Sequence, residues 1–531
     1  MADEPRDETI STNEMTGPVE SGPGETAPAT APPSPAEDVG PTGSAEGPAA
    51  AEPPEPTASP RPPARPVPEP GEARMGRRAL VLIAVAIVIV AALGGAALLA
   101  RGPADGPATP TPTAVIPTAT PVWPAGAILV AAADSKDPGV SGAAHRCDGT
   151  DDQVEIQRAL DEAAANGGTV TLLDGTFHCT DKLSPRAGTT FMGLGQDLTT
   201  IDVTGYYKPI ELLQDGVTLR GFRVIDRGFI LVRSSHVLVE NVTISTMHSG
   251  KVEANGAFFV FAKDTVLQDI EFRNCTAIDC GIHGFNVNGD GSPKETRDLR
   301  YIDCTAIRCG NADSNAIWAT GFDFHETNDL YGITVLRCRA EDNWESGFHF
   351  EPGGHATPKT VAEDIRMEDC VSIGNGQRNT KGYPYTETFQ SGYYVHNNAI
   401  LINCTSENNR NAGYFVQGGR NVTFERCTDS GSTYGWKVVK DSQGVALDDC
   451  ATSGNIEWGL WAAYSDDIIL KGFTQRNVTG KDGYQSMLGW YYGNPDYEKP
   501  VTDSSFQIAA DGTFPAINQV GEGNTYELTK L

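Results

Sequence analysis

The chain is poor in positive charge: 40 Lys and Arg stand against 69 Asp and Glu over 531 residues, a formal net charge of −29 at pH 7. That excess argues against a nucleic-acid partner, because an acidic surface repels a polyanion. An anionic polymer is disfavoured for the same reason unless local basic groups or a divalent cation offset the repulsion. Histidine is scarce, at 9 residues, and no Cys-x-x-Cys pair occurs among the 11 cysteines. The second absence removes the usual spacing of tetrahedral thiolate sites. Large apolar residues are nearly missing from Met1 to about Gly71, where Pro, Ala, Gly, Ser, Thr and Glu dominate. Nothing there offsets the entropy of ordering the chain, so residues 1–78 are expected to form a disordered tail.

Immediately after the tail comes a run without a single charge, Ala79 to Ala100, ALVLIAVAIVIVAALGGAALLA. At ~1.5 Å per residue it spans a hydrocarbon core of roughly 30 Å, and a transmembrane helix is expected over 79–100. It lies too far from the start of the chain for a signal peptide and has no cleavage site. Arg74, Arg77 and Arg78 precede it and only Arg101 lies close behind it, so the tail is expected in the cytoplasm. The expected location is therefore the cell membrane, single-pass, with everything after Arg101 outside. Residues 101–124 are Pro/Thr-rich and read as an extended stalk, and 125–531 as the folded extracellular domain.

Within that domain a two-part unit repeats. One part is Gly followed by alternating apolar residues, at Gly284, Gly321, Gly347, Gly392, Gly413, Gly435 and Gly459. The other is a short strand ending in Cys275, Cys304, Cys338, Cys370, Cys404, Cys427 or Cys450. The two parts alternate throughout. Each unit is too short for a βαβ crossover and lacks helical periodicity, which leaves coiled parallel strands stacked ~4.8 Å apart. VTLLDGTF, TFMGLG, TTIDVTG, VTLRGFRV and VLVENVTI read as earlier, less regular coils. Before them Thr150 or Asp151 is placed to N-cap a helix with Val154, Ile156, Leu160 and Ala163 on one face. Such a helix would close the open end of the solenoid. The expected class is all-β, a right-handed single-stranded parallel β-helix with an N-terminal capping helix.

Stacked coils align the repeat cysteines as a ladder, where a buried thiol packs as a small apolar residue. Cys147 and Cys179 fall outside it and are the candidates for a disulfide. Asn241, Asn274, Asn403, Asn421 and Asn477 each begin an N-x-T triplet, but Asn at a turn more often serves left-handed backbone geometry than glycosylation.

Strand alternation assigns the side chains of the Gly-aromatic strand. If Phe322, Phe324, Phe348, Phe350, Tyr393 and Val395 point inward, the residues between them point out. The outward set is Asn286, Asn288, Asp323, His325, His349, Glu351, Tyr394, His396, Phe415, Gln417, Lys437 and Trp461. Stacking puts His325, Glu351 and His396 in one column and Asp323, His349 and Tyr394 in the next. Asp323, His325, Glu351, His349, His396 and Tyr394 are the candidate catalytic groups, since carboxylates and imidazoles on adjacent coils furnish a base and an acid. Asn286, Asn288, Phe415, Gln417, Lys437 and Trp461 are candidate glycan contacts. Asp323 and Glu351 are candidate calcium ligands, with His325, Glu351 and His396 an alternative transition-metal set. A solvent-facing strand that simply carries polar residues is the plain alternative.

Two segments resemble known families. DGTDDQVEIQRALDEAAANGGTVTLLDGTF resembles the opening motif of the pectate-lyase-like superfamily, which also includes polygalacturonases and phage tailspikes, and implies a β-helix. TGFDFHETNDLYGITVLRCRAEDNWESGFHFE resembles the catalytic stretch of the bacterial mannuronan (alginate) epimerases. That resemblance implies catalytic roles for Asp323, His325 and Glu351. The chain departs from the family at Thr320, where the family has its catalytic tyrosine, and at Phe324, where it has proline; Tyr394 is then the nearest phenol by stacking. These features lead to an expected enzyme that acts on a polysaccharide or surface glycan, by epimerisation or β-elimination at a uronate, with Ca²⁺ a candidate aid. Lys294, Arg297 and Arg300 are placed to assist. An inverting glycoside hydrolase using Asp323 and Glu351 and a non-catalytic glycan-binding adhesin remain alternatives.

Overall fold

The computed structural model describes residues 123–531 apart from 166–167, 247–255, 311–317, 326, 353–359, 380–388, 482–483, 489–498, 513–515 and 518–520. The expected tail at 1–78, span at 79–100 and nearly all of the stalk at 101–124 lie outside the described residues. Among the described residues no helix is long and apolar enough to cross a membrane.

The repeat folds as its alternation requires. The Cys-preceded strands Thr276–Ile278, Thr305–Ile307, Arg339–Glu341, Val371–Ile373, Thr405–Glu407, Thr428–Ser430 and Ala451–Ser453 pair in parallel and in register, each with the next. The Gly-aromatic strands do the same on another face, so that Phe285, Phe322, Phe348, Tyr393, Tyr414 and Trp436 occupy one inward column. Successive rings from Phe258 through Trp436 stack with centroids 4.5 to 4.9 Å apart, which is the coil-to-coil rise filled by aromatic faces. The earlier segments form coils too, including Thr169–Leu172, Gly175–Cys179, Thr190–Met192 and Thr199–Leu212. Every strand pairing that carries these coils is parallel, which makes the domain a parallel β-helix and is consistent with right-handed winding.

The helix Gln153–Ala164 covers the N-terminal end, with Ile156, Ala159, Leu160 and Ala163 in the core. Val154 was expected beside them but is 48% exposed. It lies two residues from Ile156, and ~100° per residue turns it to the opposite face. The N-cap position belongs to Asp152 rather than Thr150 or Asp151, and its carboxylate accepts from Gly149 N and His178 N (2.9 and 2.8 Å) instead of capping.

All 11 cysteines are buried and unbridged. The ladder thiols each point at two backbone carbonyls; Cys304 Sγ lies 3.3 Å from Phe272 O on the preceding coil and 3.5 Å from Ile302 O. The expected disulfide between Cys147 and Cys179 is absent. Each packs singly in the core, where burial raises both thiols, that of Cys179 to about 12. The sequons behave as turn residues: Asn241, Asn274, Asn403, Asn421 and Asn477 all have φ between 49° and 54°.

Five residues after each ladder cysteine runs a second ladder that the repeat pattern did not reveal: Cys280, Cys309, Asn343, Asn375, Asn409, Ser432 and Asn455. Asn343 Nδ2 donates to Asn375 Oδ1 (2.9 Å) and Asn375 Nδ2 to Asn409 Oδ1 (3.0 Å), and the Oδ1 atoms also accept the backbone N–H of the preceding coil. These amides fix the corner that delivers the chain into the Gly-aromatic strands.

Candidate functional site

The expected register holds. Asn286, Asp323, His349, Tyr394, Phe415, Lys437 and Trp461 stack on successive coils as one column. Two residues further along the chain come Asn288, His325, Glu351, His396 and Gln417; His325 N bonds to Val287 O and Glu351 N to Phe324 O, which continues the pairing coil to coil.

The expected exposure does not hold. Asn286, Asp323, His349, Tyr394, His396, Phe415, Gln417, Lys437 and Trp461 are all buried, whereas Asn288, His325 and Glu351 are half-buried. Residues from the connecting segments lie over the strand. The Phe389 ring packs on His349 and Tyr394, with centroids 5.7 and 5.0 Å apart, and Trp318 packs on Phe389. Tyr394, Phe415, Trp461 and Met487 form an outer apolar cluster with Trp458, Phe389 and Tyr434. The outward face is thus half of a second core.

Around Asp323 that cover leaves a dense acid and imidazole cluster. The Asn286 amide donates to Asp323 Oδ2, and His283 Nδ1 lies 4.0 Å from Asp323 Oδ1. Burial pushes the Asp323 carboxyl up to about 8, with the Glu351 charge adding to the rise and His349 and Asn286 opposing it. His349 Nε2 is 3.0 Å from Glu351 Oε1, and its Nδ1 is 4.0 Å from Glu345 Oε2. Burial would lower the imidazole, but Glu351, Glu345 and Asp323 outweigh it and raise His349 to about 9. Burial likewise holds Glu345 at about 8. His283 accepts the Thr320 N–H at Nδ1 (3.2 Å), and burial together with His325 and His349 lowers it to about 3, so it is a neutral ring with its proton on Nε2. One coil beyond, His396 Nε2 and the Tyr394 hydroxyl are 2.6 Å apart.

Asp323, His349, Glu351 and Asn286 are brought together, with Tyr394 and His396 next to them. His325 instead turns to Thr327 Oγ1, 3.2 Å from its Nδ1. The proposed glycan contacts at the far end of the column are committed internally: Lys437 Nζ sits over the rings of Phe415, Trp461 and Tyr434 at 4.7, 4.9 and 5.6 Å. Burial pulls that amine down to about 7, with Lys440 adding to the fall and Glu457 opposing it. Lys294, Arg297 and Arg300 fall on the adjoining face, where Arg297 pairs with Glu295 and Arg300 with Asp269 and Glu271. Sequence reasoning missed His283 and Glu345, although both sit just before a repeat glycine, one or two residues upstream of Gly284 and Gly347.

Asp323 is hydrogen-bonded by the Asn286 amide and Glu351 by His349, so each of the two candidate calcium ligands is engaged by a neighbouring side chain. Among the described residues, the group of three whose ligand atoms lie within 4.8 Å of one another is Cys147, Asp152 and Glu155, at the helix end of the domain. Asp152 is already bound there by two backbone N–H groups.

No protein-family model and no curated protein matches the chain. Among solved structures, the A-module of a mannuronan C-5 epimerase from Azotobacter vinelandii is similar over 72% of this chain and 96% of that one, at 15% identity and a TM-score of 0.45. A periplasmic alginate epimerase is similar over 70% and 82%, at 12% identity and a TM-score of 0.41. A surface adhesin of Streptococcus pneumoniae is similar over 72% and 88%, at 13% identity and a TM-score of 0.35. The family named by the sequence motif is thus also represented among the similar structures, and a shared fold does not transfer what those proteins do to this chain.

Proposed function

We propose that the β-helix domain is a carbohydrate-active enzyme that moves a proton at the carbon beside the carboxyl group of a uronate in an extracellular polysaccharide. The observation that carries this is the gathering of Asp323, Glu345 and Glu351 about one imidazole, His349, with amide and phenol groups on the neighbouring coils. A protonated Asp323 beside the Asn286 amide suits a substrate carboxylate, whose charge must be offset before the adjacent C–H is acidic enough to break. The Glu351–His349 pair takes that proton from carbon, and Glu351, half-buried, is the member within reach of solvent. The Tyr394–His396 hydrogen bond offers a second acid and base. Return of a proton to the opposite side of the ring gives epimerisation; loss of the leaving oxygen gives elimination. Anchoring through the apolar run 79–100, with this domain outside the cell, completes the proposal.

The test is incubation of the fragment from Ala125 with a panel of polyuronates and neutral glycans, with and without Ca²⁺, and then NMR of the products. Epimerised or unsaturated uronates are expected. New reducing ends without unsaturation would instead favour an inverting hydrolase, for which Asp323, protonated at neutral pH, is a leaving-group acid. Glycan binding that survives Asp323→Ala with no reaction on any member of the panel would leave an adhesin.

A further inference from the structure

Three aromatic rings lead from the acid and imidazole cluster to water. Tyr394 is fully buried, Phe389 half-buried and Trp318 39% exposed. Phe389 makes the contacts with Tyr394 and His349, and Trp318 packs on Phe389 nearly at right angles, with centroids 6.3 Å apart and 78° between the planes. Among the described residues that is the ring contact Trp318 makes, whereas Trp344, Trp436, Trp458 and Trp461 are buried. A lone exposed apolar side chain is ordinary on a protein surface. This one stands on a fixed base. The next residue, Ala319, is buried, and its carbonyl accepts the Glu345 N–H (3.0 Å). Thr320 N donates to His283 Nδ1 (3.2 Å), and Thr320 O accepts the Gly284 N–H (3.0 Å). Below the indole, Phe389 O accepts Ser391 N (2.6 Å), Ser391 Oγ (3.0 Å) and the Ser346 hydroxyl.

We propose that Trp318 is a sugar-binding platform, on which a pyranose unit of the polysaccharide stacks its C–H face while a neighbouring uronate unit occupies the His349 cluster. Continuity with the cluster identifies the occupant: a polymer with one unit there has its next units at the rim, and Trp318 is the exposed ring joined to the cluster by ring contacts. The indole offers a wide apolar surface with few rotatable bonds, and its base is already ordered, so little conformational entropy is lost on binding. Stacking of this kind involves no charge. It therefore holds an anionic chain against a protein of net charge −29 without a basic patch, and its contribution does not fade as salt screens the charges. The identity of the polymer rests on the proposed function, whereas the binding test does not.

That test is equilibrium binding of the full-length chain to polymannuronate, polygalacturonate and neutral dextran, at low and at high salt. Trp318→Ala should weaken binding of the polymer that wild type takes up by about tenfold, by the same factor at both salt concentrations. Trp318→Phe, which keeps a ring, should restore most of that affinity. The emission of Trp318, isolated as the difference between wild type and Trp318→Phe, should also be shielded by that polymer from quenching by acrylamide. Equal affinity of Trp318→Ala and wild type, a loss that disappears at high salt, or no binding of any of the three polymers by wild type overturns the platform. Epimerised or unsaturated uronates formed equally well by Trp318→Ala would overturn it too and leave the proposed function standing. The expected loss of binding, with no such product from any polymer, sinks the proposed function alone.

Discussion

Asn375→Ala tests the amide ladder that sets the corner ahead of the site. Its Oδ1 accepts from Asn343 N (3.0 Å) and Asn343 Nδ2 (2.9 Å), and its Nδ2 reaches Ala340 O, Ser372 Oγ and Asn409 Oδ1 at 3.2, 2.9 and 3.0 Å. Not all of these partners are orphaned by the truncation. Asn343 Nδ2 keeps Ala306 O and Asn409 Oδ1 keeps the backbone N–H of residue 375. Ala340 O keeps the Ile373 N–H of the next strand, so Asn343 N–H is the buried group left without its partner. At roughly 1–3 kcal/mol for a buried group left unsatisfied, the expected loss is about 1–3 kcal/mol. Gln377→Ala, at an exposed position two residues on, should stay within about 0.5 kcal/mol of wild type. Urea denaturation monitored by circular dichroism measures both. A solenoid need not unfold in one step, so the coil carrying residue 375 should melt ahead of its neighbours. An Asn375→Ala midpoint indistinguishable from that of Gln377→Ala would refute the reasoning.

Asp323→Asn should lower turnover of a responsive polyuronate by about 10²–10⁴-fold. It should also change how stability depends on pH. Folded Asp323 keeps its proton up to about 8, whereas the unfolded chain loses it near the ordinary value of 3.8, so the wild type loses stability as pH rises between those values. The slope is at most about 1.4 kcal/mol per pH unit, and contributions from His283 and Lys437 cancel in the comparison with the variant. The variant should therefore gain on wild type from about pH 5 to about pH 8 in thermal melts, and a pH-independent difference would contradict the assignment. Gly392→Ala should cost about 1–3 kcal/mol, because a Cβ there meets Asn409 Nδ2 and Gly413 O at 2.7 Å. Gly142→Ala, with nothing within 4 Å, should be neutral or stabilise by about 0.4–1 kcal/mol in the same denaturation assay. Phe389→Ala should wet His349 and Tyr394, cost about 1–3 kcal/mol because the ring is only partly buried, and flatten the pH slope assigned to Asp323. Native thiols should resist alkylation, and all 11 should react once the chain unfolds.

The scaffold was legible because its signals are periodic. Strand alternation placed Phe322, Phe348 and Tyr393 inward, and the Cys spacing fixed one register for every coil, so that the column Asp323, His349, Tyr394 came from parity alone. The asparagine ladder carried a signal of the same kind, an amide or small polar residue five positions after each cysteine, masked because Cys280 and Cys309 begin the series. Val154 was misplaced by counting apolar residues rather than the angle between them. Burial of the outward face was not legible. It depends on Phe389 and Trp318, which arrive from connecting segments whose lengths vary from coil to coil and obey no period. Glu345 escaped for the same reason: its importance lies in its burial beside His349, which a sequence does not display.

That cover changes the chemistry more than the placement does. Were the face open to water, as alternation alone suggests, Asp323 and Glu345 would ionise at about 4 and His349 at about 6.5, and the column would be a set of ordinary surface groups. Under the cover, burial comes first among the causes that raise both carboxyls to about 8, and their presence in turn helps to hold the His349 proton to about 9. Proton-carrying acids at neutral pH are what a uronate carboxylate requires of its neighbours, and an open acidic face would repel it. The net charge of the chain, which disfavours an anionic glycan at long range, is offset locally for the proposed substrate: two of the three carboxyls around His349, those of Asp323 and Glu345, hold their protons up to about 8.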